Sequence, residues 1–134
     1  MRFEDLRILL VDENGSLRRQ IGTMLRQVGI HSFDEADNGL SGVDLLRHEL
    51  PDLLMVGDVR DSGDGIAFTR LVRDEVSESL PIVLVAGYAD LWRLGEAKDA
   101  GANEFLVRPF TKRALIQRLQ RAAAFGRKGA LRVV

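Results

Sequence analysis

The sequence has no cysteine, only three prolines and few aromatic residues. Without cysteine the chain can form no disulfide and can use no thiol chemistry, and this composition fits a reducing cytoplasm. Basic and acidic residues nearly balance, 19 against 20, so the formal net charge is -1. This balance gives no electrostatic reason to expect nucleic acid or a membrane surface as the partner.

Long hydrophobic runs are also missing. The N-terminal apolar run covers only Ile8–Val11, which is too short for a signal peptide or a transmembrane helix. We therefore expect a cytoplasmic protein. The length of 134 residues suits one domain without an attached effector domain. We expect that domain over residues 1–125 and a short C-terminal tail over residues 126–134.

Short apolar runs alternate with amphipathic stretches along the chain. The apolar runs predict strands at Arg7–Val11, Ser32–Ala36, Leu53–Val56, Ile82–Ala86 and Glu104–Val107. The amphipathic stretches predict a first helix with Leu17, Ile21, Leu25 and Val28 on one face, ended by Gly29, and further helices at Leu40–His48, Ile66–Val76, Leu91–Ala100 and Lys112–Phe125. This alternation predicts an α/β fold with an open, doubly wound parallel sheet. In such sheets the binding site lies outside the carboxyl ends of the strands.

The residues after the predicted strands are therefore the candidates for chemistry. Asp12 and Glu13 follow the first strand, and a divalent cation such as Mg²⁺ would relieve the repulsion between their carboxylates. A second interpretation is an acidic cluster that stabilises the dipole of the following helix. Arg108 and Pro109 follow the fifth strand, and this step indicates a turn that can contain a cis peptide bond.

Four motifs in this order, "LLVDEN", "PDLLMVGDVRDSGDG", "PIVLVAG" and "AGANEFLVRPFT", resemble the receiver domain of two-component response regulators over residues 5–125. The resemblance implies a flavodoxin-like fold with five parallel strands in the order 2-1-3-4-5. It also implies transfer of a phosphoryl group, from a histidine kinase or a small phosphodonor, to an aspartate after the third strand. In that chemistry an acidic pair and the acceptor hold Mg²⁺, while a hydroxyl and a lysine bind the phosphoryl oxygens.

The register of the resemblance places glycine at the acceptor position. In the family the acceptor directly follows the apolar strand introduced by Pro-Asp, and counting forward from Pro51 through that strand reaches Gly57. Counting back eight residues from Gly65, the glycine of the family's Asp-Gly pair, also reaches Gly57. Glycine has no nucleophile. Asp58 is one residue late and is expected to face away from the pocket, because successive strand residues point to opposite faces.

Other positions implied by the resemblance also differ. Ala86 stands at the hydroxyl position, Arg108 at the lysine position, and Phe105 at a position often held by an aromatic conformational reporter; only Asp12 and Glu13 are intact. With two carboxylates instead of three, we expect weak Mg²⁺ binding at most and no other cofactor. We also expect Arg108 to turn into the pocket and pair with Asp12 or Glu13, with Arg60 as the competing donor.

Three interpretations follow. The favoured one is a degenerate receiver, not an enzyme, that works as a phosphorylation-independent module by binding a protein such as a histidine kinase or another signalling protein. Its candidate interaction face comprises Tyr88, Trp92 and Phe105, since aromatic residues are enriched at interfaces; partial packing on the sheet is the competing explanation for Tyr88 and Trp92. The second interpretation is a phosphoacceptor receiver in which a bulge at Gly57 turns Asp58 into the pocket. The third is a domain that responds to a small ligand or a metal in the remaining acidic pocket.

Overall fold

A central parallel sheet of five strands organises the protein, and the computed structural model describes residues 2–126. The strand order is β2-β1-β3-β4-β5, which confirms the predicted fold. The strands are β1 Ile8–Val11, β2 Phe33–Ala36, β3 Leu53–Val56, β4 Ile82–Gly87 and β5 Glu104–Arg108. The helices are α1 Gly15–Gln27, α2 Gly39–His48, α3 Gly65–Glu75, α4 Leu94–Ala100 and α5 Lys112–Gly126. Short 3₁₀ segments lie at Phe3–Asp5, Arg60–Ser62 and Tyr88–Arg93.

The strands are covered on both faces because alternate side chains enter two separate cores. In β1, Leu9 and Val11 join the core under α2, α3 and α4, whereas Ile8 and Leu10 join the core under α1 and α5. Every residue of β1 and β3 is buried, while the edge strand β2 is mostly exposed. The continuous apolar runs in the sequence therefore mark the central strands of the sheet.

The predicted helix ends agree with the structure at most positions. Gly29 and Gly101, predicted to end the first and fourth helices, have positive φ angles of 96° and 109°, a conformation that glycine adopts without a steric penalty. The predicted start of the fourth helix at Leu91 was wrong, because the chain from Tyr88 to Arg93 forms a 3₁₀ segment and α4 begins only at Leu94. Such tighter turns are frequent at the N-terminal ends of α-helices, and an apolar spacing alone does not distinguish them.

Both ends of the chain include residues outside the described range of 2–126. The predicted tail falls outside the described residues, except for Gly126, which belongs to α5. No helix within residues 2–126 is long and apolar enough to cross a membrane.

Candidate functional site

The carboxyl ends of β1, β3, β4 and β5 meet at one edge of the sheet, where a cavity of about 290 Å³ opens. Five of the residues singled out in the sequence line this cavity, namely Gly57, Asp58, Ala86, Phe105 and Arg108. Asp12 lies directly against Gly57. Parallel strands bring these positions together although they are far apart in the sequence.

The carboxylate of Asp12 occupies the place where a side chain on Gly57 would begin. A Cβ atom built on Gly57 would overlap Oδ2 of Asp12 and lie 2.7 Å from its Cγ. The backbone N–H of Gly57 donates to the carbonyl oxygen of Val11 at 2.9 Å, which continues the pairing of β3 with β1 by one residue. Any side chain at position 57 would therefore have to displace a buried carboxylate.

Asp12 is 1% exposed, and none of the ion pairs within residues 2–126 involves it. Its Oδ1 accepts a hydrogen bond from the backbone N–H of Asn14 at 2.8 Å. Burial raises the pKa of the Asp12 carboxyl above its ordinary value, against the opposing effects of the backbone N–H groups of Asn14 and Asp58 and the charge of Arg108. The site therefore holds an acidic group that is stabilised more by backbone dipoles than by a cation.

Glu13 is held by the loop after β3. Its Oε1 accepts hydrogen bonds from the backbone N–H groups of Arg60 at 2.8 Å and Asp61 at 3.1 Å, while its own N–H donates to the carbonyl oxygen of Asp58 at 2.8 Å. The Arg60 guanidinium lies 3.1 Å from the Asp58 carboxylate and 3.8 Å from that of Glu13. These contacts occupy Oε1 of one of the two carboxylates expected to bind Mg²⁺.

The same loop is attached to α2 through Asp61, a residue that the sequence analysis did not single out. Its two carboxylate oxygens accept hydrogen bonds from the backbone N–H groups of Gly39 at 2.8 Å and Leu40 at 3.1 Å. A carboxylate is favoured at this place because the first N–H groups of a helix have no partner within the helix. The contact joins residues 22 positions apart, so no local sequence pattern indicates it.

The donor set for Mg²⁺ is incomplete. Within residues 2–126 no group of three or more histidine, cysteine, aspartate or glutamate residues could hold a metal ion. Of the pair predicted from the sequence, Asp12 is buried against Gly57 and Glu13 is bonded to two backbone N–H groups. The arrangement therefore does not fit the three-carboxylate Mg²⁺ site that the resemblance implied.

The predicted pairing of Arg108 with Asp12 or Glu13 was wrong. Arg108 does line the cavity, but no ion pair in the described part of the chain joins it to either carboxylate, and its buried Nε has no hydrogen-bond partner. Arg60, the competing donor, pairs with Glu13. Arg60 lies on the loop next to Glu13, whereas Arg108 is the last residue of β5. The peptide bond between Arg108 and Pro109 is cis.

Asp58 contributes to the lining of the cavity and follows the end of β3 at Val56 by two residues. The alternation of side chains holds only within a strand, so it does not by itself determine the direction of the Asp58 side chain. The Asp58 side chain is 36% exposed and its carboxylate is paired with Arg60. Asp58 therefore belongs to the rim of the site, with a cation already beside it.

The aromatic residues of the candidate interaction face differ in exposure. Tyr88 and Trp92, on the 3₁₀ segment after β4, are 72% and 81% exposed. Phe105 is instead partly buried, packs against the core under α2, α3 and α4, and lines the cavity. Packing on the sheet therefore accounts for Phe105 but not for Tyr88 or Trp92.

Arg93 is a site residue that the sequence analysis missed. It lines the cavity and pairs with Asp64 at 2.8 Å, a residue that also caps the N-terminus of α3, and with Glu96 at 2.9 Å. The spacing of Arg93 and Glu96 is a local signal for the second pair. The first pair depends on the fold, because Asp64 lies before α3 and Arg93 lies after β4 in the sequence.

Comparison with known proteins agrees with this geometry. The chain is 32% identical to the chemotaxis protein CheY of Pseudomonas aeruginosa over 117 residues, which is 87% of this chain and 94% of that protein. A crystal structure of a response regulator from Chloroflexus aurantiacus superposes with a TM-score of 0.81 at 25% identity, over 89% of this chain and 98% of that one. NtrX from Brucella abortus superposes with a TM-score of 0.78 at 25% identity, over 91% of this chain but only 27% of NtrX.

The family assignment rests on the profile of the whole domain. Residues 8–120 match the model of the response regulator receiver domain, a span that includes all five strands and most of α5. Receiver domains are signalling modules and not enzymes, and they interact with kinases and other signalling proteins. The chain therefore belongs to the receiver domain family of two-component response regulators.

Proposed function

We propose that this receiver domain signals without accepting a phosphoryl group and acts as a protein-interaction module in a two-component pathway. The observation that carries the proposal is the contact between Gly57 and Asp12. Position 57 follows β3 directly and has no side chain, and the space for one is filled by the Asp12 carboxylate. A nucleophile is thus missing at the position where the family places it.

The remaining contacts of the site support the proposal independently. Ala86, at the end of β4, offers a methyl group where a phosphoryl oxygen needs a donor. Glu13 already accepts two backbone hydrogen bonds from the loop after β3. Both bonds are to Oε1 of Glu13, and position 57 supplies no third carboxylate to offset the dehydration of Mg²⁺.

The partner in this proposal is a protein, either a histidine kinase or another signalling protein. Tyr88 and Trp92 are the residues offered to it, since they are large, mostly exposed and carried by one 3₁₀ segment. Aromatic residues of this kind contribute disproportionately to binding energy at interfaces. The segment also borders the cavity, because Asp90 and Arg93 line it.

A second candidate function is phosphorylation of Asp58. One observation favours it: Asp58 lines the cavity and its side chain is about one third exposed. Two features oppose it. The Arg60 guanidinium already pairs with the Asp58 carboxylate at 3.1 Å, and Ala86 provides no hydroxyl for the transferred group.

Beryllofluoride with Mg²⁺, which mimics an aspartyl phosphate, distinguishes the two candidates. The proposal predicts that amide NMR resonances of Gly57, Asp58 and Gly87 remain unshifted when the mimic is added. Shifts that disappear in Asp58→Asn would support phosphorylation of Asp58 instead. A receiver domain that has an acceptor aspartate, treated in parallel, serves as the control for binding of the mimic.

A further inference from the structure

A single arginine, Arg93, connects the segment that carries Tyr88 and Trp92 to Asp64 at the rim of the cavity. Arg93 ends this 3₁₀ segment, and its Nη1 lies 2.8 Å from the carboxylate of Asp64. Its Nε and Nη2 also donate to the two carboxylate oxygens of Glu96, both at 2.9 Å. The Arg93 side chain is only 22% exposed, so these bonds are partly shielded from water.

The partner of this arginine, Asp64, is itself held at the N-terminus of α3. It is the N-cap of α3 and accepts the backbone N–H of Ala67 at 2.8 Å. Burial tends to raise the pKa of Asp64, but the N–H of Ala67 and the charge of Arg93 outweigh it and hold the pKa below its ordinary value. The pair thus joins the junction of β4 and α4 to the junction of β3 and α3, on two sides of the same cavity.

The far end of α4 is attached to α3 as well. The Arg73 guanidinium, on α3, donates from Nε and Nη2 to the carbonyl oxygen of Gly101 at 3.0 and 2.9 Å, and from Nη2 to the Asn103 side chain at 3.0 Å. The chain from Arg93 to Gly101 is therefore attached to α3 or its N-cap at both ends. A guanidinium bonded to carbonyl oxygens holds the end at Gly101, and the Arg93–Asp64 pair holds the end at Arg93.

We propose that the Arg93–Asp64 pair is a strap that holds the Tyr88–Arg93 segment in one conformation and thereby sets how Tyr88 and Trp92 are presented. In this arrangement the pair couples the two loops at the rim of the cavity directly, through protein groups alone. The inference goes beyond the proposed function because it concerns what fixes the conformation of the segment. It holds or fails independently of whether any aspartate accepts phosphate.

The test uses Asp64→Asn, because a change of Arg93 itself would alter the tryptophan directly: the Arg93 Cζ lies 5.8 Å from the centre of the Trp92 ring. Asparagine at position 64 keeps an N-cap acceptor for α3 but removes the charge that pairs with Arg93. The matched control is Glu96→Gln, which weakens the local pair and leaves the bond across the cavity. The readouts are amide hydrogen exchange over residues 88–94 and acrylamide quenching of Trp92, the only tryptophan.

We expect amide exchange over residues 88–94 to be faster by about fivefold in Asp64→Asn, the effect of losing one partly shielded ion pair. Trp92 quenching should change in the same variant, and both readouts should stay near wild type in Glu96→Gln. Exchange in the first turn of α3 should be unchanged, which shows that the cap is intact. Any of three results would contradict the strap proposal. These are unchanged exchange over residues 88–94 in Asp64→Asn, equally accelerated exchange in Glu96→Gln, and acceleration in Asp64→Asn that is confined to α3.

Discussion

The Asp12 carboxylate and Gly57 fit together so closely that a Cβ atom on Gly57 would lie 2.7 Å from Asp12 Cγ and overlap its Oδ2. The two residues directly follow neighbouring strands, since Val11 of β1 pairs with Val56 of β3. In a receiver with an acceptor aspartate, both side chains have to share this space. Here the glycine leaves room for the Asp12 carboxylate directly beside it, which is the contact on which the proposal of a receiver without phosphoryl transfer rests.

Gly57→Ala should destabilise the fold, contrary to the usual gain from replacing glycine. The new methyl group has to displace a buried carboxylate, and overpacking of this kind costs about 1–3 kcal/mol. Urea denaturation measures the change in the free energy of unfolding. The matched control is Gly95→Ala, because a Cβ atom at this helical position meets nothing within 4 Å; we expect it to stabilise by about 0.5–1 kcal/mol.

The same contact predicts a coupling between the two positions. Gly57→Ala should cost less in an Asp12→Ala background, because the carboxylate that the methyl group meets is gone. Equal costs in both backgrounds would mean that the two residues do not compete for space.

Gly57→Asp alone should not restore phosphorylation. The introduced carboxylate competes with Asp12 for space, and Ala86 still lacks the hydroxyl that binds a phosphoryl oxygen. The measurement is the intact mass after incubation with acetyl phosphate and Mg²⁺, compared with the double variant Gly57→Asp, Ala86→Thr. Efficient labelling of the single variant would indicate that Ala86 matters little.

Magnesium binding should be weak, because Glu13 is engaged by the N–H groups of Arg60 and Asp61 and position 57 offers no carboxylate. Calorimetric titration should give little heat with the wild-type protein and more with Gly57→Asp, which supplies a third carboxylate. Tight binding by the wild-type protein, abolished in Glu13→Gln, would contradict this account and favour a metal-responsive function.

The titration of Asp12 should depart from that of an ordinary carboxyl group. Burial raises its pKa above the ordinary 3.8, so the folded state retains a proton that the unfolded chain has lost. Between 3.8 and the raised folded pKa, this group makes the fold less stable as the pH rises. Carbon-detected NMR of the Asp12 carboxyl should give a midpoint above 3.8, whereas Asp64, whose pKa is lowered, should titrate below its ordinary range. A midpoint for Asp12 at or below 3.8 would show that backbone hydrogen bonds outweigh burial.

The sequence was sufficient for the fold and for the position of Gly57 at the end of β3, but not for Arg93, which also lines the cavity. Continuous apolar runs identified β1, β3 and β4 because central parallel strands are buried on both faces. The fixed spacing from Pro51 and from Gly65 identified Gly57 as the residue that follows β3. The apolar runs are local signals. The spacings identify Gly57 because the order of the motifs in the receiver family is known.

The partners of the charged side chains could not be predicted in the same way. Arg108 was expected to pair with the acidic residues, but Arg60 lies closer to Glu13 and Asp58 in the folded loop. The bonds of Asp61 to α2 and of Arg93 to Asp64 join parts of the chain that meet only in the folded protein. Arginine side chains are long and can reach several carboxylates, so their partners depend on the conformation of the loops. The periodicity of the sequence carries no information about that conformation.

The most direct test of the central claim is the intact mass of the wild-type protein after incubation with acetyl phosphate and Mg²⁺. The account predicts no phosphoryl adduct under conditions that label a receiver domain with an acceptor aspartate treated in parallel. An adduct on the wild-type protein that is lost in Asp58→Asn would contradict the account, because Asp58 would then serve as the acceptor.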